Sequence, residues 1–230
     1  MSGNTDQPDR VLAMATKRTY GDRCGVARAL DVVGERWALL VVRELLFGPK
    51  RFTDLRAGLP NLSPDVLSQR LRELEQAGVL HRRKLAPPAA SRVYELTARG
   101  RALESVVLEL GRWGSQTPMP EGEAAFGADS FALALKSRFD PAAADGLDVT
   151  LELRLGDDTF HSRVAGGRFE IARGSSEPSD AVVASEPGTL AAVLWHDRSL
   201  AEALRTGDVE IDGSTPAAKR FFGAFPVPAS

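Results

Sequence analysis

The chain has 230 residues, 43% of them hydrophobic and 26% charged, with a formal net charge of −2. This composition points to a packed globular protein, long enough for two units. One cysteine excludes an internal disulfide framework, the polar start (residues 1–10) is no secretory leader, and no run of ~18 apolar residues offers a membrane span. A cytoplasmic location with no membrane partner is therefore expected.

Charge is unevenly placed. Residues 1–119 carry 19 Lys+Arg against 13 Asp+Glu, and residues 120–230 carry 10 against 18. A basic half joined to an acidic half suggests that the first binds a polyanion and the second has another task. The boundary lies at residues 116–123, where two prolines and a glycine follow a helical run.

In chain order, residues 26–33 and 37–47 show apolar spacing for two helices, ended by Gly34 and by Gly48-Pro49. Residues 52–59 predict a short amphipathic helix that stops before Pro60. Ser63-Pro64-Asp65 opens the next helix with a hydroxyl cap, a proline at the first helical position and a carboxylate in the first turn. It closes at Ala77-Gly78. Residues 79–85 and 92–96 predict a hairpin with its tip at residues 86–91, and residues 97–113 a single long helix capped by Thr97. This order is that of a winged helix-turn-helix.

Helical phase of ~100° per residue sends Val66, Leu67, Leu71 and Leu74 to one side of the 63–76 helix, toward a core. Asp65, Ser68, Gln69, Arg72 and Gln76 fall on the other. Amides, hydroxyls and guanidinium groups are the side chains that hydrogen-bond base edges and phosphates. Ser63, Pro64, Asp65, Ser68, Gln69 and Arg72 are thus the expected reading residues, with Arg70 nearer the core flank. Arg82, Arg83, Lys84 and Arg92 on the hairpin are expected at the phosphates of double-stranded DNA, together with Arg36, Lys50 and Arg51.

In the second half, residues 128–139 predict a helix. Residues 147–155 alternate strictly, as a half-buried strand does. Strands follow at 159–164, 168–172, 181–185 and 209–211, with helices at 187–196, 199–205 and 215–225. The expected class is α+β: an N-terminal winged helix-turn-helix joined to a C-terminal part with a mainly antiparallel sheet.

Residues 24–114 resemble the HxlR-type subgroup of MarR-like winged-helix regulators. The resemblance is carried by Cys24, Ala29-Leu-Asp31, Gly34-Glu-Arg-Trp37, Arg43-Glu-Leu45, Gly48-Pro-Lys-Arg-Phe52, Leu55-Arg56, Ser63-Pro64, Val66-Leu-Ser-Gln-Arg-Leu71, Leu74-Glu75, Ala77-Gly78, Tyr94, Leu96-Thr97, Gly100 and Gly111-Arg-Trp-Gly114. It implies a homodimeric transcription factor that binds an imperfect palindrome. Val106, Val107, Leu110 and Trp113 make the 97–113 helix the expected dimer element, with the N-terminal segment. The same resemblance makes Cys24 a candidate redox sensor; a half-buried structural thiol is the alternative.

Residues 125–230 resemble the sterol carrier protein type of lipid-binding fold through Asp180-Ala-Val-Val-Ala184, Gly188-Thr-Leu190, Leu200, Ala203-Leu204, Gly207-Asp-Val-Glu-Ile-Asp-Gly213 and Phe221-Phe222. This implies a cavity for a hydrophobic small molecule or acyl chain, lined by Phe131, Leu135, Phe160, Trp195, Phe221 and Phe222; these residues could equally form ordinary core. The domain division read from the sequence is an arm at 1–23, a DNA-binding domain at 24–116, a linker at 117–124 and a ligand-binding or dimerisation domain at 125–230. No catalytic motif or metal-ligand spacing is evident, so a non-enzyme without cofactor is expected. Two alternatives remain: a regulator whose second half only dimerises or binds protein, and a lipid carrier with the winged helix as an interaction module.

Overall fold

Apolar residues at helical spacing, interrupted by glycine and proline, divide the first half into α1 (Gly25–Val33), α2 (Ala38–Leu45), α3 (Phe52–Gly58) and α4 (Pro64–Gln76). A hairpin follows, β1 (Leu80–Lys84) and β2 (Arg92–Leu96), then α5 (Ala98–Arg101) and α6 (Glu104–Gly114). The computed structural model describes residues 19–86, 91–117, 126–175, 178–196 and 198–227. Residues 87–90 of the expected hairpin tip, nearly all of the linker and most of the N-terminal arm lie outside those residues.

Val41, Val42, Leu45, Leu55, Leu67, Leu71, Leu74, Leu80 and Leu96 form the core of this half. Two expectations are corrected. The helix over 97–113 is broken: Leu103 N–H donates to Gly100 O (3.1 Å) in a tight turn between α5 and α6. Gly100 packs against the residue before β1, where a Cβ would stand 2.0 Å from Val79 O, so α5 sits close against the hairpin. Val107, expected on the apolar outer face of that helix, turns into the core.

The second half comprises α7 (Ala128–Arg138), β3 (Asp148–Leu155), β4 (Asp158–Ala165), β5 (Arg168–Arg173), β6 (Ala181–Ser185), α8 (Pro187–Trp195), α9 (Leu200–Thr206), β7 (Val209–Gly213) and α10 (Thr215–Gly223). The sheet order is β5-β4-β3-β6-β7; β3 and β6 run parallel and the other pairs antiparallel. Val149, Leu151, Leu153 and Leu155 alternate onto one face, in register with Val164, Ser162, Phe160 and Asp158. The apolar members of that face pack with α7, α8 and α10 into a second core. The class is α+β.

α7 serves both cores. Phe131, Ala132 and Leu135 enter the second, whereas Leu133 enters the first. α7 packs against α6 and α2, and Phe47, in the turn after α2, meets Phe160 of β4 edge to face, with ring centroids 5.6 Å apart.

Candidate nucleic-acid interface

The helix-turn-helix is α3, the turn at residues 59–62 and α4. Leu62 N–H donates to Leu59 O (3.0 Å) and both side chains are buried, which closes the turn onto the core. α4 begins as its sequence dictates: Ser63 Oγ accepts from Val66 N–H (3.4 Å), with Pro64 next and Asp65 in the first turn.

Leu67, Leu71 and Leu74 are buried, while Val66 is only half-buried. Asp65, Gln69, Arg72 and Gln76 are exposed and Ser68 is half-buried. Gln69 Nε2 donates to Glu73 Oε1 (3.0 Å), whereas Arg72 has no hydrogen bond or ion pair among the described residues. Arg70 is buried. It pairs with Glu73 and reaches Glu35 at 3.7 Å, tying α4 to the segment before α2.

The hairpin pairs Lys84 with Arg92 and Arg82 with Tyr94. Arg82 forms a two-point ion pair with Glu75 of α4 (2.6 and 3.1 Å), so the wing is tethered to the helix. The guanidinium hydrogen bond holds the Glu75 carboxyl below the ordinary glutamate value. Arg83 pairs with Glu95 (2.7 Å). Lys84 and Arg92 are exposed, and neither has an ion pair among the described residues.

The expected backbone-contact residues divide. Arg51 is exposed just before α3, where its N–H donates to Asp54 Oδ2 (3.0 Å). Arg36 is exposed and lies over the Trp37 ring, 5.3 Å from its centroid. Lys50 is a correction: its ammonium points inward, between Glu44 (2.7 Å) and Asp129, and only 12% of its side chain is exposed. Arg56, exposed on α3, carries no local sequence signal beyond the family pattern; it too has no ion pair among the described residues.

Cys24 is exposed, immediately before α1, which corrects the half-buried alternative. Its N–H donates to Asp22 Oδ1 (2.8 Å). On α1, Val26 and Leu30 are exposed, as are Val106, Leu110 and Trp113 on α6.

Five of the six residues expected to line a lipid cavity, all but Phe222, are packed into the core instead. Phe131, Leu135, Phe160 and Phe221 are fully buried, and Trp195 stacks at a tilt on Phe131 with centroids 5.4 Å apart. Phe222 borders a hollow of ≈160 Å³ with Val193, Leu194, Leu200 and Lys219. Among the described residues, no group of three or more His, Cys, Asp or Glu could hold a metal ion. No described helix is long and apolar enough to cross a membrane.

Residues 32–121 match the HxlR-like helix-turn-helix family model, and residues 123–229 match the alkyl sulfatase C-terminal model. The HTH-type transcriptional regulator YvaP of Bacillus subtilis is 42% identical over 90 residues, 39% of this chain and 82% of that protein. YdeP of the same organism is 39% identical over 95 residues, covering 40% and 73%. The crystal structure of quinone-bound YodB from B. subtilis is 34% identical and covers 40% of this chain and 97% of that one, with a TM-score of 0.35.

Proposed function

As a member of the HxlR-like helix-turn-helix family, to which it belongs, the chain is a transcriptional regulator, and we propose that it binds double-stranded DNA sequence-specifically as a homodimer. The observation that carries this reading is the exposed face of α4, with Gln69, Arg72 and Gln76, beside a wing whose Lys84 and Arg92 are unpaired among the described residues. Arg72, without a partner among the described residues, is free to bond a base edge. Arg82 sets the wing against α4.

The dimer surface is the apolar stripe Val106, Leu110 and Trp113 of α6, with Val26 and Leu30 of α1. Spacing of three and four residues puts the α6 residues on one helix face, and patches of this kind mark interfaces. A two-fold dimer would set two α4 helices ~34 Å apart on an imperfect palindrome. Enrichment of a random-sequence duplex pool, followed by footprinting, tests this. Two protected half-sites one helical turn apart are expected; a chain that enriches no sequence overturns the reading.

The second half is the proposed sensor, responding to a small hydrophobic molecule or acyl chain. What supports this is the hollow beside Phe222, whose lining is apolar apart from Lys219. Thermal melts with fatty acids, acyl esters and aromatic metabolites test it. A concentration-dependent rise that is lost in Phe222→Ala is expected, and no response from any class refutes it.

A second input is proposed at Cys24 on the strength of its exposure. With one cysteine per chain, oxidation by diamide would join two chains, the two thiols giving two protons and two electrons to the oxidant. Unchanged DNA affinity after diamide treatment removes this input.

A further inference from the structure

The junction between the two cores holds a line of charges of alternating sign. Arg43 donates to Glu44 (2.8 and 3.1 Å), Glu44 accepts from Lys50 (2.7 Å), Lys50 meets Asp129, and Asp129 meets Arg173, which also pairs with Asp158. Glu44 and Asp129 are each 3% exposed. Charges buried this deeply persist only where each has a partner. Glu44 and Lys50 belong to the winged helix; Asp129 and Arg173 belong to α7 and β5. Arg173 also lies over the Phe160 ring, 4.8 Å from its centroid, and Phe160 meets Phe47.

Both DNA-facing parts are attached to this line. Lys50 N–H donates to Tyr94 O (3.0 Å) and Tyr94 N–H to Lys50 O (2.8 Å), so Lys50 is laddered onto wing strand β2. The next residue opens α3. At the other end of α3, Gly58 packs on the Glu44 carboxylate, where a Cβ would stand 2.1 Å from Oε2.

We infer that Lys50 is a positioning residue for DNA reading: through Glu44, Lys50, Asp129 and Arg173, the second-half sheet fixes the placement of α3 and of the wing. The inference rests on the DNA-binding reading above. It makes Asp129, too buried to touch DNA, a determinant of DNA affinity.

Asp129→Asn is the mildest cut, because Lys50 keeps Glu44 and Arg173 keeps Asp158. Gly58→Ala acts from the far end by displacing the Glu44 carboxylate, and serves should the first variant fold poorly. Each would be compared with wild type by hydrogen exchange of residues 51–58 and 92–96 and by binding to a duplex enriched from a random pool. Faster exchange in both segments is expected, with affinity lowered about tenfold, the usual size of a coupling between linked sites. The slope of log affinity against log salt should not change, because no phosphate contact is lost. Wild-type exchange in both segments overturns the inference. So does a silent Asp129→Asn beside a Lys50→Met variant whose salt slope falls by about one contact, which would put Lys50 on a phosphate. Failure to enrich any duplex would refute DNA reading instead, and the exchange arm still decides the line of charges.

Discussion

At the scale of single residues, the interface works by division of labour among cations. Arg70 is spent on Glu73 and Glu35, Arg82 on Glu75, Arg83 on Glu95 and Lys50 on two carboxylates. Arg51, Arg56, Arg72, Lys84 and Arg92 have no such partner among the described residues. The Glu75–Arg82 pair has a defined pH dependence. Its folded carboxyl titrates below the ordinary value because Arg82 donates to it. Its contribution is therefore present above the unfolded pKa and lost as pH falls through the lower folded one. The protection of β1 amides, taken relative to their intrinsic exchange rate at each pH, should fall on acidification in wild type and be flatter with pH in Glu75→Gln. An equal pH response in the two proteins would contradict this pairing.

At the scale of elements, the sequence signals with a local cause survived. The cap Ser63-Pro64-Asp65 marks the start of α4, and the alternating run before Gly156 becomes β3. Ser63→Ala should cost about 1 kcal/mol in a chemical melt, the usual worth of an N-cap. What was not legible depends on distant chain. Lys50 reads as a surface cation because Asp129 lies 79 residues away. The break between α5 and α6 comes just after Gly100, which packs against Val79 closely enough to leave no room for a Cβ, a contact no periodicity encodes. The aromatic residues of the second half have the same spacing whether they line a cavity or fill one; ring-to-ring packing places Phe131, Trp195, Phe221 and Phe225 in the core and leaves Phe222 at the hollow. For the α6 stripe, Leu110→Glu should shift the chain to monomer in sedimentation equilibrium. A dimer that survives this change would move the interface elsewhere.

At the scale of the whole molecule, two cores share α7 and are joined by an aromatic contact and a line of buried charges. A shared helix makes the placement of the sheet part of the DNA-binding problem. A ligand in the second half can act on DNA affinity only by binding two arrangements of this junction unequally. The central proposal is that α4 is the reading helix, and the direct measurement is fluorescence anisotropy of Arg72→Ala on the duplex that wild type selects. Loss of one base-edge contact predicts a penalty of about 1–3 kcal/mol on that duplex, with affinity for unrelated DNA nearly unchanged. Wild-type affinity and selectivity in Arg72→Ala would contradict it.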